Sequence, residues 1–84
     1  MTHFLPVIAS VEGADEQGLA AARNGGHLRL EGDSVAAYAG GPSNRIGYVR
    51  CPEIRAHLNA GGSAYFRHYD NIGRPNALVC GLQD

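Results

Sequence analysis

The sequence predicts an α+β fold, a small curled antiparallel sheet or partly open barrel with two short helices, in one compact domain of residues 1–84. Three observations predict it. Apolar and polar residues alternate between positions 28 and 50, with the period of strands that bury one face. Two short segments carry helical end signals, and glycines follow both. The resulting order, β-α-β-β-β-α-β-β, lacks the strand–helix rhythm of a doubly wound parallel sheet.

The first strand and the first helix precede the alternating segment. Residues 3–11 are rich in β-branched and apolar side chains, but Pro6 cannot donate a hydrogen bond to a neighbouring strand. We therefore expect this strand to lie at a sheet edge or to begin at Val7. A helix is expected at residues 15–24, because acidic residues open the segment and an arginine and two glycines close it. Gly18 weakens this helix by about 1 kcal/mol relative to alanine.

A β-meander from Leu28 to Arg50 is the most regular part of the chain. The Gly32-Asp33 pair predicts a tight turn between its first two strands. A five-residue loop that contains Pro42 separates the second strand from the third. The three strands are expected at residues 27–31, 34–39 and 45–50.

A second helix and two further strands complete the chain. Pro52 and Glu53 suit the first turn of a helix, and Ile54 and Leu58 lie one turn apart on the same face. Glycines at positions 61–62 end this helix. The last two strands are expected at residues 64–69 and 77–82, on either side of a turn-rich loop.

Composition limits the classes of function. Hydrophobic residues make up 44% of the chain and charged residues 18%, which is typical of a folded domain. We expect no membrane span, no signal peptide, reduced cysteines and a cytoplasmic location. All seven basic side chains are arginines, whose planar guanidinium groups suit carboxylates, phosphates and rings. Residues 1–44 carry two arginines against five acidic residues, whereas residues 45–74 carry five against two.

No arrangement of residues indicates catalysis. Cys51 precedes a helix N-terminus, which favours a thiolate, but a buried structural role is commoner for cysteine. The four histidines and two cysteines show none of the close spacings that zinc ligands have. We therefore expect a chain that is not an enzyme and that holds neither a metal ion nor a cofactor.

Arginines and aromatic residues are concentrated in the second half of the chain. Because side chains alternate along a strand, Tyr65, Arg67 and Tyr69 share one face, and Phe66 lies on the other. Exposed rings can stack on bases, and guanidinium groups can bind phosphates. The predicted face for nucleic acid or a protein partner consists of Arg45, Tyr48, Arg50, Tyr65, Arg67 and Tyr69.

The meander resembles a HIRAN domain, a small modified OB-type barrel found attached to DNA-remodelling helicases and nucleases and also alone in bacteria and phages. The resemblance covers about residues 27–60, and its motifs are Leu28-Arg29-Leu30-Glu31, Asp33-Ser34-Val35-Ala36 and Arg45-Ile46-Gly47-Tyr48-Val49. It implies binding of single-stranded DNA ends, with Asp33 at a terminal 3′-hydroxyl and Tyr48 against a terminal nucleotide. The family's Asn-Pro-x-Asp turn is shortened here to Gly32-Asp33.

Two functions from different classes agree with these observations. The first is a HIRAN-like module that binds single-stranded DNA or DNA 3′ ends through the arginine–tyrosine face. The second is a small inhibitor, which a phage could encode, that blocks a host nuclease or CRISPR-type complex by protein–protein binding. A homodimer formed through an exposed sheet edge is a third interpretation.

Overall fold

A computed structural model describes residues 5–68 and 76–83 of the chain. Within these ranges, six strands and two helices follow the predicted order, so that order and the α+β class are confirmed. The elements are β1 Leu5–Glu12, α1 Glu16–Ala22, β2 Gly26–Glu31, β3 Ser34–Ala39, β4 Arg45–Val49, α2 Pro52–Asn59, β5 Ser63–His68 and β6 Ala77–Gln83.

The six strands form an antiparallel barrel in the order β1-β4-β3-β2-β5-β6, and β6 pairs with β1 to close it. The prediction of a curled sheet or partly open barrel is therefore wrong about closure. β1 is responsible, because its residues 5–10 pair with β6 and then Val11 and Glu12 pair with β4. A hydrophobic pattern shows which residues face inward, but it does not show which strands meet when a sheet closes.

The seam between β1 and β4 consists of two residue pairs. Pro6 lies before this seam, where β1 pairs with β6 alone and where a missing amide hydrogen is tolerated. At the seam, a Cβ on Gly47 would lie 2.5 Å from the carbonyl oxygen of Glu12, so glycine permits the close approach. The first part of β1 pairs with β6 alone among the described strands, so its other side is one edge on which the homodimer interpretation can rest.

Inward-facing side chains of the strands fill the barrel, and Val35, Phe66 and Leu78 are each at most 3% exposed. Ala22 of α1 and Ile54 of α2 are fully buried in the same cluster. Helix α1 packs on β3, β4 and β5, whereas α2 packs on β2, β3 and β5. The two helices thus cover parts of the barrel and leave the outer face of β2, β3 and β4 to carry polar side chains.

Gly18 has a packing role that its low helix propensity conceals. A Cβ at this position would lie 3.1 Å from the Cβ of Ile46, so the missing side chain lets α1 approach β4 closely. Asp15 caps the same helix, because its carboxylate accepts a hydrogen bond of 2.8 Å from the Gly18 amide. The helix therefore forms despite the glycine.

A β-bulge near the start of β4 positions the outer face. Ala37 pairs with Gly47, but the next residue, Tyr38, pairs with Arg45. Ile46 is the extra residue, and its side chain enters the core with 7% exposure. Arg45 therefore lies opposite Tyr38 on the outside of the barrel.

The described residues also bear on two expectations from composition. Neither of their helices is long and apolar enough to cross a membrane. Both cysteines are free, with Cys80 buried and Cys51 partly buried. Burial raises the pKa of the Cys80 thiol to about 12, so this thiol stays protonated at neutral pH.

Candidate functional site

A row of four side chains crosses the outer face of the barrel. Strand register places Tyr65 of β5 opposite His27 of β2. His27 also lies opposite Tyr38 of β3, which lies opposite Arg45 of β4. We call these four residues the cross-strand row. Neighbouring strands lie about 4.8 Å apart, so the row is about 14 Å long.

Tyr38 lies in the middle of this row. Its ring stacks on His27, with centroids 5.3 Å apart and an interplanar angle of 11°. The guanidinium carbon of Arg29 lies 5.1 Å from the same ring centroid. Tyr38 is therefore 7% exposed although it belongs to the outer face and not to the core cluster. Neighbouring side chains hold its ring in one position.

Glu31 joins Tyr38 to Arg45. The Tyr38 hydroxyl donates a hydrogen bond to the Glu31 carboxylate, and Arg45 Nη1 lies 3.3 Å from Oε1 of the same group. The hydrogen bond from Tyr38 lowers the pKa of Glu31, and it also raises the pKa of Tyr38. Near neutral pH the carboxylate is ionised and the phenol is protonated, which is the combination that this hydrogen bond requires.

Tyr48 and Tyr65 are the exposed rings of this surface. Tyr48 is 39% exposed, and the guanidinium carbon of Arg45 lies 5.0 Å from its ring centroid. Tyr65 is 50% exposed at the opposite end of the cross-strand row. The outer face therefore presents two aromatic surfaces with arginine and histidine side chains between them.

A groove of about 750 Å³ borders Tyr48, between the β2–β3 turn and the start of α2. We call it the turn groove. Arg50 Nε lies 3.6 Å from a carboxylate oxygen of Glu12, and Arg55 donates a hydrogen bond of 3.4 Å to the backbone carbonyl of Asp33. The carboxylate of Asp33 has no partner in the part of the chain that the structure describes. The charged lining consists of Glu12, Glu31, Asp33, Arg50 and Arg55.

A second groove, of about 390 Å³, lies where β2 and β5 diverge. His27, Arg29 and Tyr65 line it, and Leu30 and Leu58 supply an apolar wall. Among the described residues, none that lines this groove is acidic. We call it the basic groove.

The geometry of the barrel and its two grooves can be compared with that of known proteins. No protein-family model, curated protein or solved structure matches the chain significantly. The resemblance to a HIRAN domain therefore depends on the short motifs of the meander. The fold itself, a small closed barrel of six antiparallel strands, is compatible with an OB-like barrel.

The structure brings together the predicted site residues of the meander and the turn. Asp33, Tyr48 and Arg50 line the turn groove. Arg45 adjoins it through its contacts with Tyr48 and Glu31. This convergence depends on the pairing of β3 with β4, which places the end of β4 beside the β2–β3 turn.

The predicted residues of β5 lie at the other end of the outer face. Tyr65 and Arg67 are exposed and Phe66 is 3% exposed, so the alternation predicted for these three residues is confirmed. Tyr65 continues the cross-strand row, whereas Arg67 lies two residues further along β5, opposite Val79 of β6. Tyr69 lies outside the described residues.

Sequence reasoning missed four residues of this surface: His27, Arg29, Glu31 and Tyr38. The first three occupy alternate, outward positions of β2, so the period-two pattern contained a signal for them. The pairing of β2 with both β3 and β5 gives these positions their importance, because it places them between the two exposed tyrosines.

The two grooves can bind a ligand by hydrogen bonding, ion pairing and ring stacking. Within residues 5–68 and 76–83, no group of three or more His, Cys, Asp or Glu side chains could hold a metal ion. Cations, carboxylates and exposed rings in alternation suit a ligand that combines flat rings, anionic groups and hydrogen-bond donors.

Proposed function

We propose that this chain is a non-enzymatic, HIRAN-like module that binds single-stranded DNA, including DNA 3′ ends, across the outer face of β5, β2, β3 and β4. The observation that carries this proposal is the cross-strand row, with Tyr65 exposed at one end and Tyr48 exposed beside the other. Bases stack on such rings with little regard to sequence, and each stacked base contributes roughly 1–3 kcal/mol.

Arginines adjacent to these rings supply the phosphate contacts. Arg29 lies against Tyr38, and Arg67 shares the outer face of β5 with Tyr65. The basic groove, which Arg29 and Tyr65 line, has no acidic lining residue in the described ranges, so a phosphate there meets no repulsion from its walls. A guanidinium group can bind a phosphate through two parallel hydrogen bonds.

A DNA 3′ end fits the turn groove at the other end of the row. Asp33 and Tyr48 line this groove together, which agrees with the roles that the HIRAN resemblance implies for them. A carboxylate accepts a hydrogen bond from a terminal hydroxyl but repels a terminal phosphate. The proposal therefore includes a preference for a free 3′-hydroxyl over a 3′-phosphate.

Fluorescence anisotropy with labelled oligonucleotides of about 12 nucleotides tests the proposal, since single OB-type barrels occupy roughly 4–16 nucleotides. We expect binding at low salt that weakens as salt rises, with a log–log slope of about −0.7 for each phosphate contacted. We also expect tighter binding of the 3′-hydroxyl strand than of the 3′-phosphate strand. Absence of binding to either strand at low salt would overturn the proposal.

Point variants locate the binding surface. Tyr65→Ala and Tyr48→Ala should each weaken binding about 10-fold, because each removes one stacking platform. Arg29→Gln should weaken it about threefold or more through a lost charge–phosphate contact. Arg23→Gln is the matched control, because it removes the same charge from the C-terminal cap of α1. Equal losses from Arg29→Gln and Arg23→Gln would show that net charge, and not this face, governs binding.

A second candidate function, inhibition of a nucleic-acid-processing complex by protein–protein binding, is favoured by one observation. Ile8 is 46% exposed on β1, opposite Val79, which lies opposite Arg67. Aromatic and arginine side chains are enriched where proteins bind each other, and the buried core of such an interface is apolar. If this function is correct, such a complex should bind the chain stoichiometrically after nuclease treatment. Ile8→Ser should then weaken that binding and leave oligonucleotide affinity unchanged.

A further inference from the structure

The two grooves of the outer face differ in charge. Three carboxylates and two arginines line the turn groove, whereas the described lining of the basic groove contains His27 and Arg29 and no carboxylate. A phosphodiester backbone avoids carboxylates, since like charges at close range repel. If single-stranded DNA binds this face, as proposed above, its phosphates belong on the basic groove, and in a strand without a free 3′-hydroxyl the turn groove receives a base.

The turn groove offers such a base a stacking surface. Tyr48 is 39% exposed at its border, and Arg45 lies against the ring of Tyr48. Unpaired bases stack both on aromatic rings and on guanidinium planes, and their edges then form hydrogen bonds to neighbouring side chains. The groups that meet the edge of a base held in this way are those of the groove lining.

The available carboxylate of the groove is that of Asp33. Glu31 already accepts hydrogen bonds from Tyr38 and Arg45, and Glu12 is paired with Arg50. Asp33 offers its backbone carbonyl to Arg55, which leaves its carboxylate without a partner among the described residues. An ionised carboxylate only accepts hydrogen bonds, so the edge of the base must donate them.

From this chemistry we infer that the turn groove selects guanine. Guanine presents an N1–H and an N2 amino group side by side, and these two donors match the two oxygens of the Asp33 carboxylate. Thymine presents a single N–H between two carbonyl oxygens, which a carboxylate repels. Adenine and cytosine each present one amino group, and their affinities should lie between those of guanine and thymine.

Oligothymidylate of about 12 nucleotides, blocked at its 3′ end, is the probe, either unmodified or with one guanine at a central position. We expect the guanine-containing strand to bind about 10-fold tighter, within the range for discrimination by a bidentate contact. Hypoxanthine in place of guanine lacks the N2 amino group and should remove most of this preference. The 7-deaza analogue of guanine keeps both donors and should retain the preference.

Asp33→Asn should reduce the preference for guanine to about twofold or less. Asp33→Ser tests the same point if the asparagine variant is poorly folded. Glu53→Gln is the matched control, because this substitution removes the same charge from a residue outside the groove lining. Glu53 is exposed in the first turn of α2.

Equal affinity for the two strands would overturn the guanine assignment and leave the proposed DNA binding intact. A preference that survives in both Asp33 variants, or that Glu53→Gln removes equally, would also overturn it. Absence of binding to either strand at low salt would overturn the proposed function together with this inference.

Discussion

Tyr38 shows how a side chain on the outside of a small barrel becomes buried. His27 stacks on one part of its ring, the Arg29 guanidinium lies against it, and its hydroxyl is bound to Glu31. Arg45 then binds Glu31, so one connected network extends from β2 to β4. Such networks orient neighbouring side chains before a ligand arrives, which reduces the entropy lost on binding.

Tyr38→Phe should raise the pKa of Glu31 toward its ordinary value of 4.5, because the hydrogen bond from Tyr38 is the main cause of its lowered pKa. A lowered carboxylate pKa contributes stability that is present above the unfolded pKa and is lost as pH falls through the folded pKa. The wild-type chain should therefore lose more stability than Tyr38→Phe as pH falls from about 5 to about 3. Side-chain NMR titration and denaturation at each pH measure the two effects.

Tyr65→Phe is the control for this prediction, since Tyr65 is 50% exposed and its hydroxyl has no partner among the described residues. Its stability should follow the same dependence on pH as that of the wild-type chain. If Glu31 titrates identically in Tyr38→Phe and in the wild-type chain, the hydrogen bond does not set its pKa.

At the scale of the elements, the shortest junction of the barrel is the one between β1 and β4. β1 pairs with β6 over six residues but with β4 over two, Val11 and Glu12. The backbone at Gly47 approaches the carbonyl of Glu12 and the side chain of Val11 more closely than a Cβ would allow. One added methyl group at Gly47 should therefore weaken this seam.

Gly47→Ala should destabilise the chain by about 1–3 kcal/mol, the usual range for overpacking a tightly packed site. The added Cβ would lie 2.5 Å from the Glu12 carbonyl oxygen and 2.9 Å from a Val11 methyl carbon, so β1 and β4 must separate. Chemical denaturation measures the overall loss. Amide hydrogen exchange should show faster opening at Tyr48 and Val49 than within the pairs of β2 and β3.

Gly13→Ala provides the comparison, because it adds the same methyl group next to the seam with nothing within 4 Å of it. Its φ of +81° makes alanine unfavourable there by about 1–2 kcal/mol, but the seam should not open. If Gly47→Ala leaves exchange at Tyr48 and Val49 unchanged, the tight approach at Gly47 does not limit closure.

Sequence reasoning is most successful in predicting the individual helices and strands. Glycines follow both helices and Pro52 opens α2, and the alternation in β2 and β5 separates Leu28 and Phe66 from the outward positions. Closure was not predictable in this way, because it depends on contacts between residues far apart in sequence. The bulge at Ile46 shifts the register of β3 and β4, which the alternating pattern does not show.

The candidate site follows the same division. Asp33, Tyr48 and Arg50 meet through the pairing of β3 with β4. The arginine–aromatic pattern grouped Tyr48 with Arg50, and the HIRAN resemblance added Asp33. His27 and Tyr65 become neighbours only through the pairing of β2 with β5. Tyr38 and the other residues that sequence reasoning missed connect these two parts of the outer face.

For the molecule as a whole, one closed core implies one cooperative unfolding transition, and Cys80 is placed to report it. Its side chain belongs to the core cluster with 0% exposure, and burial raises its pKa to about 12. Access and ionisation both disfavour reaction of this thiol with an alkylating reagent while the barrel is closed. Cys51 is partly buried at the edge of the core and is therefore more accessible to such a reagent.

Native protein at about pH 8 should therefore be alkylated at Cys51 well before Cys80, with rates that differ by at least about a thousandfold if opening is global. Mass spectrometry after timed alkylation measures both rates. Cys51→Ser should remove the fast reaction, and denaturant should accelerate the Cys80 reaction in proportion to the unfolded fraction. Similar rates at the two cysteines without denaturant would show that the core opens locally around β6, and that the closed barrel does not unfold as one unit.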